Sequence, residues 1–309
     1  MDEAYVQTVR LLLETAPVLF SSPEFVMKGG TAINLFVLDM PRLSVDIDVV
    51  WKDHTLPREQ VIAGISEALQ TSRQGLEERG IKVRVSTVDK REETKLFVQR
   101  ENRQVKIEVN HVFRGTVLAP EQRRLVKKAR DLFTTDLTVP VLATPELYGS
   151  KIVAALDRQH PRDFFDLLGM YEKIGLTPEI VECFVCYLAG HNRPVHEVLF
   201  SRDKDITSVF KNEFAGMTTD PVEVRELLAV RERLRDDLAT ELTDAHRDFL
   251  LSLVHGAPNW SLIACTHLSE LPAIRWKLQN LAKLKRTNVR KFTAQADELR
   301  RRFEQNQGS

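Results

Sequence analysis

Cysteine is scarce. Three residues in 309 build no even disulfide framework, and so small a number fits a reducing cytoplasm. Long apolar runs are missing too. No stretch approaches the roughly 18 uncharged residues that a spanning helix needs. The start, Met1-Asp2-Glu3, lacks the basic region of a secretion signal. The expected location is therefore cytoplasmic, with no membrane partner. Net charge is absent: 44 basic side chains balance 44 acidic ones. That excludes a uniformly polycationic nucleic-acid coat, though not a local basic patch. Aromatic residues are only 7%, and no RNA-recognition motif with stacked aromatics is visible. No internal repeat and no low-complexity linker interrupts the chain. What remains is an ordinary globular mixture, 43% hydrophobic and 28% charged, long enough for two domains with ample core.

The neutral total hides an uneven distribution. Residues 1–150 hold 21 basic and 21 acidic side chains, residues 203–250 hold 7 and 12, and residues 271–302 hold 10 and 2. An acidic helical stretch is followed by a strongly basic end. Residues 3–20 read as an amphipathic helix. Phe25 to Lys28 is extended and ends at Gly29-Gly30, after which Thr31 caps a short helix from Ala32 to Leu38. Val45 to Trp51 alternates like a strand. Pro57 opens a helix to about Gln74. Ile81 to Val88 reads as a strand. Lys95–Arg100 and Gln104–His111 form a hairpin around residues 101–103, and Leu137 to Leu142 is a further short strand. From Thr144-Pro145-Glu146 onward the periodicity is helical. The expected fold is α+β: a mixed-sheet domain over 1–143 and an all-helical domain over 144–309.

The chemistry-bearing stretch is Lys28-Gly29-Gly30-Thr31, followed by Arg42-Leu43-Ser44-Val45-Asp46-Ile47-Asp48. Two glycines between strand and helix let backbone amides approach a phosphate, and the helix start adds partial positive charge. Side chains repeat every two residues in a strand, so Asp46 and Asp48 share a face. Two adjacent carboxylates repel and call for a cation, and a hard ion such as Mg²⁺ suits their oxygens. Alone, a Gly-Gly turn is only a turn and Asp-x-Asp only a solvated face; their order within 20 residues argues for more. Glu108 lies on a strand whose apolar face carries Val105, Ile107 and Val109. A neighbouring strand could set it beside Asp46 and Asp48 as a third metal ligand, or it is an exposed hairpin position. Cys183-x-x-Cys186 with His191 and His196 has the look of a zinc set, but the apolar neighbours mark the cysteines as small core residues on a buried helix.

These features resemble the DNA polymerase beta-like nucleotidyltransferase superfamily. A second set narrows the likeness: Glu146-Leu147-Tyr148-Gly149-Ser150-Lys151 through Leu156, then Arg158, then Pro161-Arg162-Asp163-Phe164-Phe165-Asp166-Leu167. With Gly29-Gly30-Thr31 and the Arg42-to-Asp48 run, it is similar to the AbiEii/AbiGii abortive-infection toxin family over residues 25–170. The resemblance implies an active site with metal ligands Asp46, Asp48 and Glu108, with Glu108 or another carboxylate helping to activate the acceptor, and nucleotide contacts from Lys28, Gly29, Gly30, Thr31, Arg42 and Ser44. It also implies active-site roles for Lys151 and Asp166. Arg162 and Asp166, four apart, could instead simply pair, and Asp163 is read as turned away from Asp166. Some members are silenced by phosphorylation where Ser44 stands, and added negative charge there would disfavour nucleotide; a plain hydrogen-bonding role for Ser44 stays open.

The expected function follows. The chain is read as a toxin that uses Mg²⁺ or Mn²⁺ and a nucleoside triphosphate to modify an acceptor, the 3′ end of a tRNA, with an AbiEi-type antitoxin as partner. Two basic surfaces would suit RNA phosphates: Arg275 to Arg302, and the cluster Arg123, Arg124, Lys127, Lys128 and Arg130. The alternatives are a nucleotidyltransferase acting on a protein or an antibiotic, and a nucleotide-binding module without catalysis.

Overall fold

The computed structural model describes residues 3–88 and 93–307. The chain divides into two compact units: residues 1–143 with 214–222, and residues 144–213 with 223–309. No described helix is long and apolar enough to cross a membrane.

The first unit opens with α1 (Glu3–Leu19). Val9, Leu12, Ala16 and Leu19 recur at helical spacing on it and are fully buried. β1 (Phe25–Lys28) leads straight into α2 (Gly29–Ala32), which continues as a π-turn over Ile33–Val37. The expected cap at Thr31 is thus corrected: the helix begins three residues earlier, at Gly29 rather than Ala32, and Thr31 lies inside it. Its hydroxyl serves a tertiary purpose instead, as described below. β2 (Asp46–Trp51) follows, then α3 (Arg58–Glu77), which Pro57 precedes as the N-cap. β3 (Lys82–Val88), β4 (Glu93–Arg100) and β5 (Arg103–Asn110) form an antiparallel meander, and Glu101 at the β4–β5 turn takes φ 53°. β6 (Glu121–Arg124), α4 (Lys127–Phe133) and β7 (Thr138–Val141) complete the set.

The seven strands form one mixed sheet in the order β3-β4-β5-β2-β1-β7-β6. β2 lies at its centre, antiparallel to β1 and parallel to β5. On β2, Ile47 and Val49 are fully buried while Asp46 and Asp48 remain half-exposed. β5 repeats the pattern with Val105, Ile107 and Val109 inside. Trp51 meets Phe25 edge-to-face at 5.8 Å between ring centroids. Residues 214–222 come back to this unit from within the helical sequence. Leu43 N donates to Met217 O (2.9 Å), Thr219 N donates to Pro41 O (2.8 Å), and Arg42 forms an isolated β-bridge with Thr218.

The second unit is all helical: α5 (Thr144–Arg158), α6 (Pro161–Lys173), α7 (Pro178–Gly190), α8 (Val195–Leu199), α9 (Thr207–Glu213), α10 (Val224–Glu241), α11 (Asp244–Val254), α12 (Pro272–Thr287) and α13 (Val289–Gln307). α5 and α7 pack closely because Gly149 has no side chain. A Cβ there would stand 2.6 Å from the Phe184 amide nitrogen. Beside this crossing the buried Tyr187 hydroxyl donates to Glu146 Oε1 at 2.9 Å. Cys183 and Cys186 are buried in α7.

Candidate active site

The site in the first unit is a sheet face with a glycine turn at its edge. Strand register makes two transverse rows across it. One row runs Lys28–Asp48–Glu108–Lys95, and the next begins Asp46–Lys106. Directly opposed residues on neighbouring strands share a face and stand close together. Asp46, Asp48 and Glu108 are therefore brought onto one face, with three lysines among them.

The glycine turn is shaped around this face. Gly29 takes φ 77°, and a Cβ on it would overlap the Asp48 carboxylate. Backbone without a side chain thus lies directly against Asp48. Gly30 is bare for another reason: a Cβ there would come within 2.5 Å of an Arg42 guanidinium nitrogen and 3.2 Å of Ser44 Oγ. Arg42 is buried, with its Nη1 donating to Leu43 O at 2.9 Å. Asn34 Nδ2 donates to Gly30 O at 2.9 Å. The Thr31 hydroxyl lies 2.9 Å from Ser44 Oγ and also donates to the Asp46 backbone carbonyl. Thr31 and Ser44 thereby tie the turn to the head of β2. Ser44 is only 8% exposed.

Glu108 differs from the aspartates. Lys95 Nζ reaches its Oε1 at 2.5 Å, and Lys106 Nζ reaches its Oε2 at 2.8 Å and Asp46 Oδ2 at 4.0 Å. Burial pushes the Glu108 carboxyl up, but hydrogen bonds from Lys106 and Lys95 outweigh it and hold the group below its ordinary value. Among the described residues, no three His, Cys, Asp or Glu side chains group so as to hold a metal ion. The cysteine set is included in that statement. In sequence Lys106 is visible only as a face-mate of Glu108, and Lys95 as a strand residue. Their pairing with one carboxylate follows from the register of three strands.

In the second unit, Lys151 and Asp166 meet in a buried ion cluster. Lys151 Nζ lies 2.9 Å from Asp166 Oδ2 and 3.0 Å from Asp163 Oδ1. Arg158 grips Asp163 with two bonds, Nε–Oδ2 at 2.5 Å and Nη2–Oδ1 at 2.7 Å. Both aspartates have no exposed side-chain surface, and Lys151 has 6%. This corrects the reading of Asp163 as turned away. Residues three apart on a helix are only about 60° apart around its axis, so Asp163 and Asp166 close on the same ammonium group. Burial raises the Asp163 carboxyl, but Lys151 and Arg158 prevail and hold it far below the usual carboxylate range. Two carboxylates face two cations, which is what burial of charge demands.

The basic cluster at 123–130 is largely compensated. Arg123 pairs with Glu121 at 2.6 Å, Arg124 with Asp136 at 2.5 Å and Lys127 with Asp131 at 2.5 Å. In the basic end, Lys277 is buried and donates to His191 O (2.9 Å) and Arg193 O (2.6 Å), while Arg301 and Arg302 both hold Glu298. Lys283, Lys285, Arg286, Arg290 and Lys291 are exposed.

The family model described as nucleotidyl transferase AbiEii toxin, type IV toxin–antitoxin system, matches residues 10–280. The chain belongs to the AbiEii nucleotidyltransferase toxin family. Its fold is also similar to that of MenT4, a nucleotidyltransferase toxin from Mycobacterium tuberculosis. That likeness has a TM-score of 0.60 at 18% identity and covers 90% of this chain and 94% of that one. No curated protein sequence gives a significant match. Membership makes this AbiEii toxin an enzyme that takes a nucleoside triphosphate, and it removes the reading of a non-catalytic nucleotide-binding module.

Proposed function

We propose that this AbiEii-family enzyme transfers a nucleoside monophosphate to the 3′ end of a tRNA, with Mg²⁺ or Mn²⁺ as its ion. One observation carries the reading. Asp46 and Asp48 share a half-open strand face, with the bare backbone of Gly29 pressed against Asp48. Their oxygens suit a hard divalent ion, and such ions commonly take one or two carboxylates together with substrate phosphates. When bound, the ion supplies charge neutralisation and polarisation at the reacting phosphoryl group. Asp46 and Asp48 hold it. Gly29 and Gly30 give phosphate oxygens room beside backbone amides, with Lys28 at the start of the turn and Arg42 behind Gly30 adding positive charge. Thr31 and Ser44 keep the turn docked on β2. Lys151 and Asp166, the paired residues of the family pattern, are required for transfer in this reading. A phosphate on Ser44 would break its bond with Thr31 and add charge beside Arg42 and Gly30, silencing the enzyme. Exposed Lys283, Lys285 and Arg286 on α12 supply cations suited to an RNA backbone. The partner in the cell is an antitoxin of the AbiEi type, and the compartment is the cytoplasm.

The deciding experiment incubates the protein with each labelled nucleoside triphosphate, Mg²⁺ and total tRNA. The expected result is label at the tRNA 3′ end from one preferred nucleotide, lost in Asp48→Asn. Label carried on protein or a small molecule, with tRNA unmarked, overturns the acceptor. Undiminished transfer by Asp48→Asn overturns the metal site.

A further inference from the structure

Glu108 is the third carboxylate of the sheet face, yet its two oxygens are both taken, one by Lys95 and one by Lys106. Lys106 also stands 4.0 Å from Asp46. These contacts follow from register rather than from chance rotamers. Lys95 is directly opposite Glu108 on β4, and Lys106 is directly opposite Asp46 on β5. Lys106 and Glu108 are also two apart on one strand, so both project from the same side. Such neighbours satisfy one another with little side-chain strain. The three side chains are 22–30% exposed, open enough to meet a ligand.

Counting the face by charge, Asp46, Asp48 and Glu108 are balanced by Lys28, Lys95 and Lys106. A triphosphate is strongly anionic and keeps net negative charge after binding one divalent ion. Two carboxylates ligating that ion with a third carboxylate bare beside them would repel such a ligand. A third carboxylate neutralised by lysines would not, and the Lys106 ammonium, which has three donors, is set between Glu108 at 2.8 Å and Asp46 at 4.0 Å.

We propose that Lys106 is the substrate-contacting side chain of this face, meeting the nucleoside triphosphate, and that Glu108 is a positioning residue acting through Lys106 and Lys95 rather than as a metal ligand. The proposal rests on the transfer reading above; it gives Lys106 a role that the resemblance does not assign, and it changes the role that the resemblance implies for Glu108. Glu108 fixes where the lysine ammonium groups stand. Lys106 is the nearer to the metal-holding pair through Asp46, while Lys95 braces Glu108 from the far side.

The test separates phosphate binding from metal binding. Equilibrium dialysis of labelled ATP, CTP, GTP and UTP at saturating Mg²⁺ gives the nucleotide affinity of wild type, Lys106→Gln, Lys106→Arg and Glu108→Gln. A Mg²⁺ titration of transfer at saturating nucleotide gives the metal requirement. Lys106→Gln should weaken the preferred nucleotide by on the order of tenfold, the size of one lost charge-assisted hydrogen bond, and leave the Mg²⁺ midpoint unchanged. Lys106→Arg should recover most of it. Glu108→Gln should resemble Lys106→Gln, and the double variant should be no worse than either single. A raised Mg²⁺ midpoint in Glu108→Gln, with nucleotide affinity intact, makes Glu108 a metal ligand and overturns the proposal. So does unchanged affinity in Lys106→Gln. Neither outcome touches the transfer reading, which fails separately if Asp48→Asn remains active. Thermal unfolding of each variant checks the fold, and these partly open positions should leave it nearly unchanged.

Discussion

Single residues divide into those whose loss removes chemistry and those whose loss also removes structure. Lys151 is of the second kind. With its ammonium gone, Asp166 and Asp163 keep charge without exposed surface, and breaking such a pair costs about 3–5 kcal/mol. Lys151→Ala is therefore expected to lose transfer and to melt well below wild type; a scan showing equal melting would contradict the buried triad. Asp163 adds a pH dependence. Its folded carboxyl lies below the ordinary value, so it contributes stability that is full above about pH 4, the unfolded value, and is lost as pH falls below that. Acid titration of Asp163→Asn should lack this component. Lys277 gives the same sign in the alkaline range. Burial lowers it to about 8, so between that value and the unfolded one near 10.4 the unfolded chain binds more protons, and stability rises with pH. Lys277→Met should flatten the alkaline gain in melting temperature. If wild type shows no such gain, Lys277 is not buried as described.

At the scale of elements, the strands and helices with strong periodicity are legible and the electrically busy ones are not. β2 and β5 reveal themselves because Ile47, Val49, Val105, Ile107 and Val109 alternate with polar residues. β6 does not. Glu121-Gln122-Arg123-Arg124 has no apolar face, and it becomes a strand only because it occupies the sheet margin beside β7, where charge is tolerated and discourages further pairing. The π-turn at Ile33–Val37 shares its apolar residues with an ordinary helix, so composition cannot distinguish them. The Asp-x-Asp face was readable from the period of two, but the lysine clamp on Glu108 needed the register of β2, β4 and β5, which no local pattern encodes. Close packing makes its own prediction. Gly149→Ala forces α5 away from the α7 backbone, with an expected loss of about 1–3 kcal/mol, measurable by denaturant titration. A neutral result would mean that α5 and α7 can separate freely.

For the molecule as a whole, Lys283, Lys285, Arg286, Arg290 and Lys291 form an exposed basic set on α12 and the start of α13. Replacing Lys283, Lys285 and Arg286 with Gln should flatten the salt dependence of tRNA binding and leave nucleotide affinity alone; filter binding over a salt series decides it, and an unchanged slope removes α12 from RNA contact. The other whole-molecule feature is the path of the chain. It leaves the sheet-bearing unit after Ala143, returns at Phe214 and leaves again after Val222. The segment that holds Leu43 and bridges Arg42 is thus encoded some 70 residues downstream of the last strand. A ribosome that has finished β7 has made every strand of the sheet, yet has not made the backbone that Leu43 and Arg42 bind. Until residue 222 has emerged, the 41–43 loop of a nascent chain lacks the segment it bonds to, and a message cut short before residue 214 yields a sheet without that segment. A toxin built this way completes its sheet-bearing unit only late in its own synthesis.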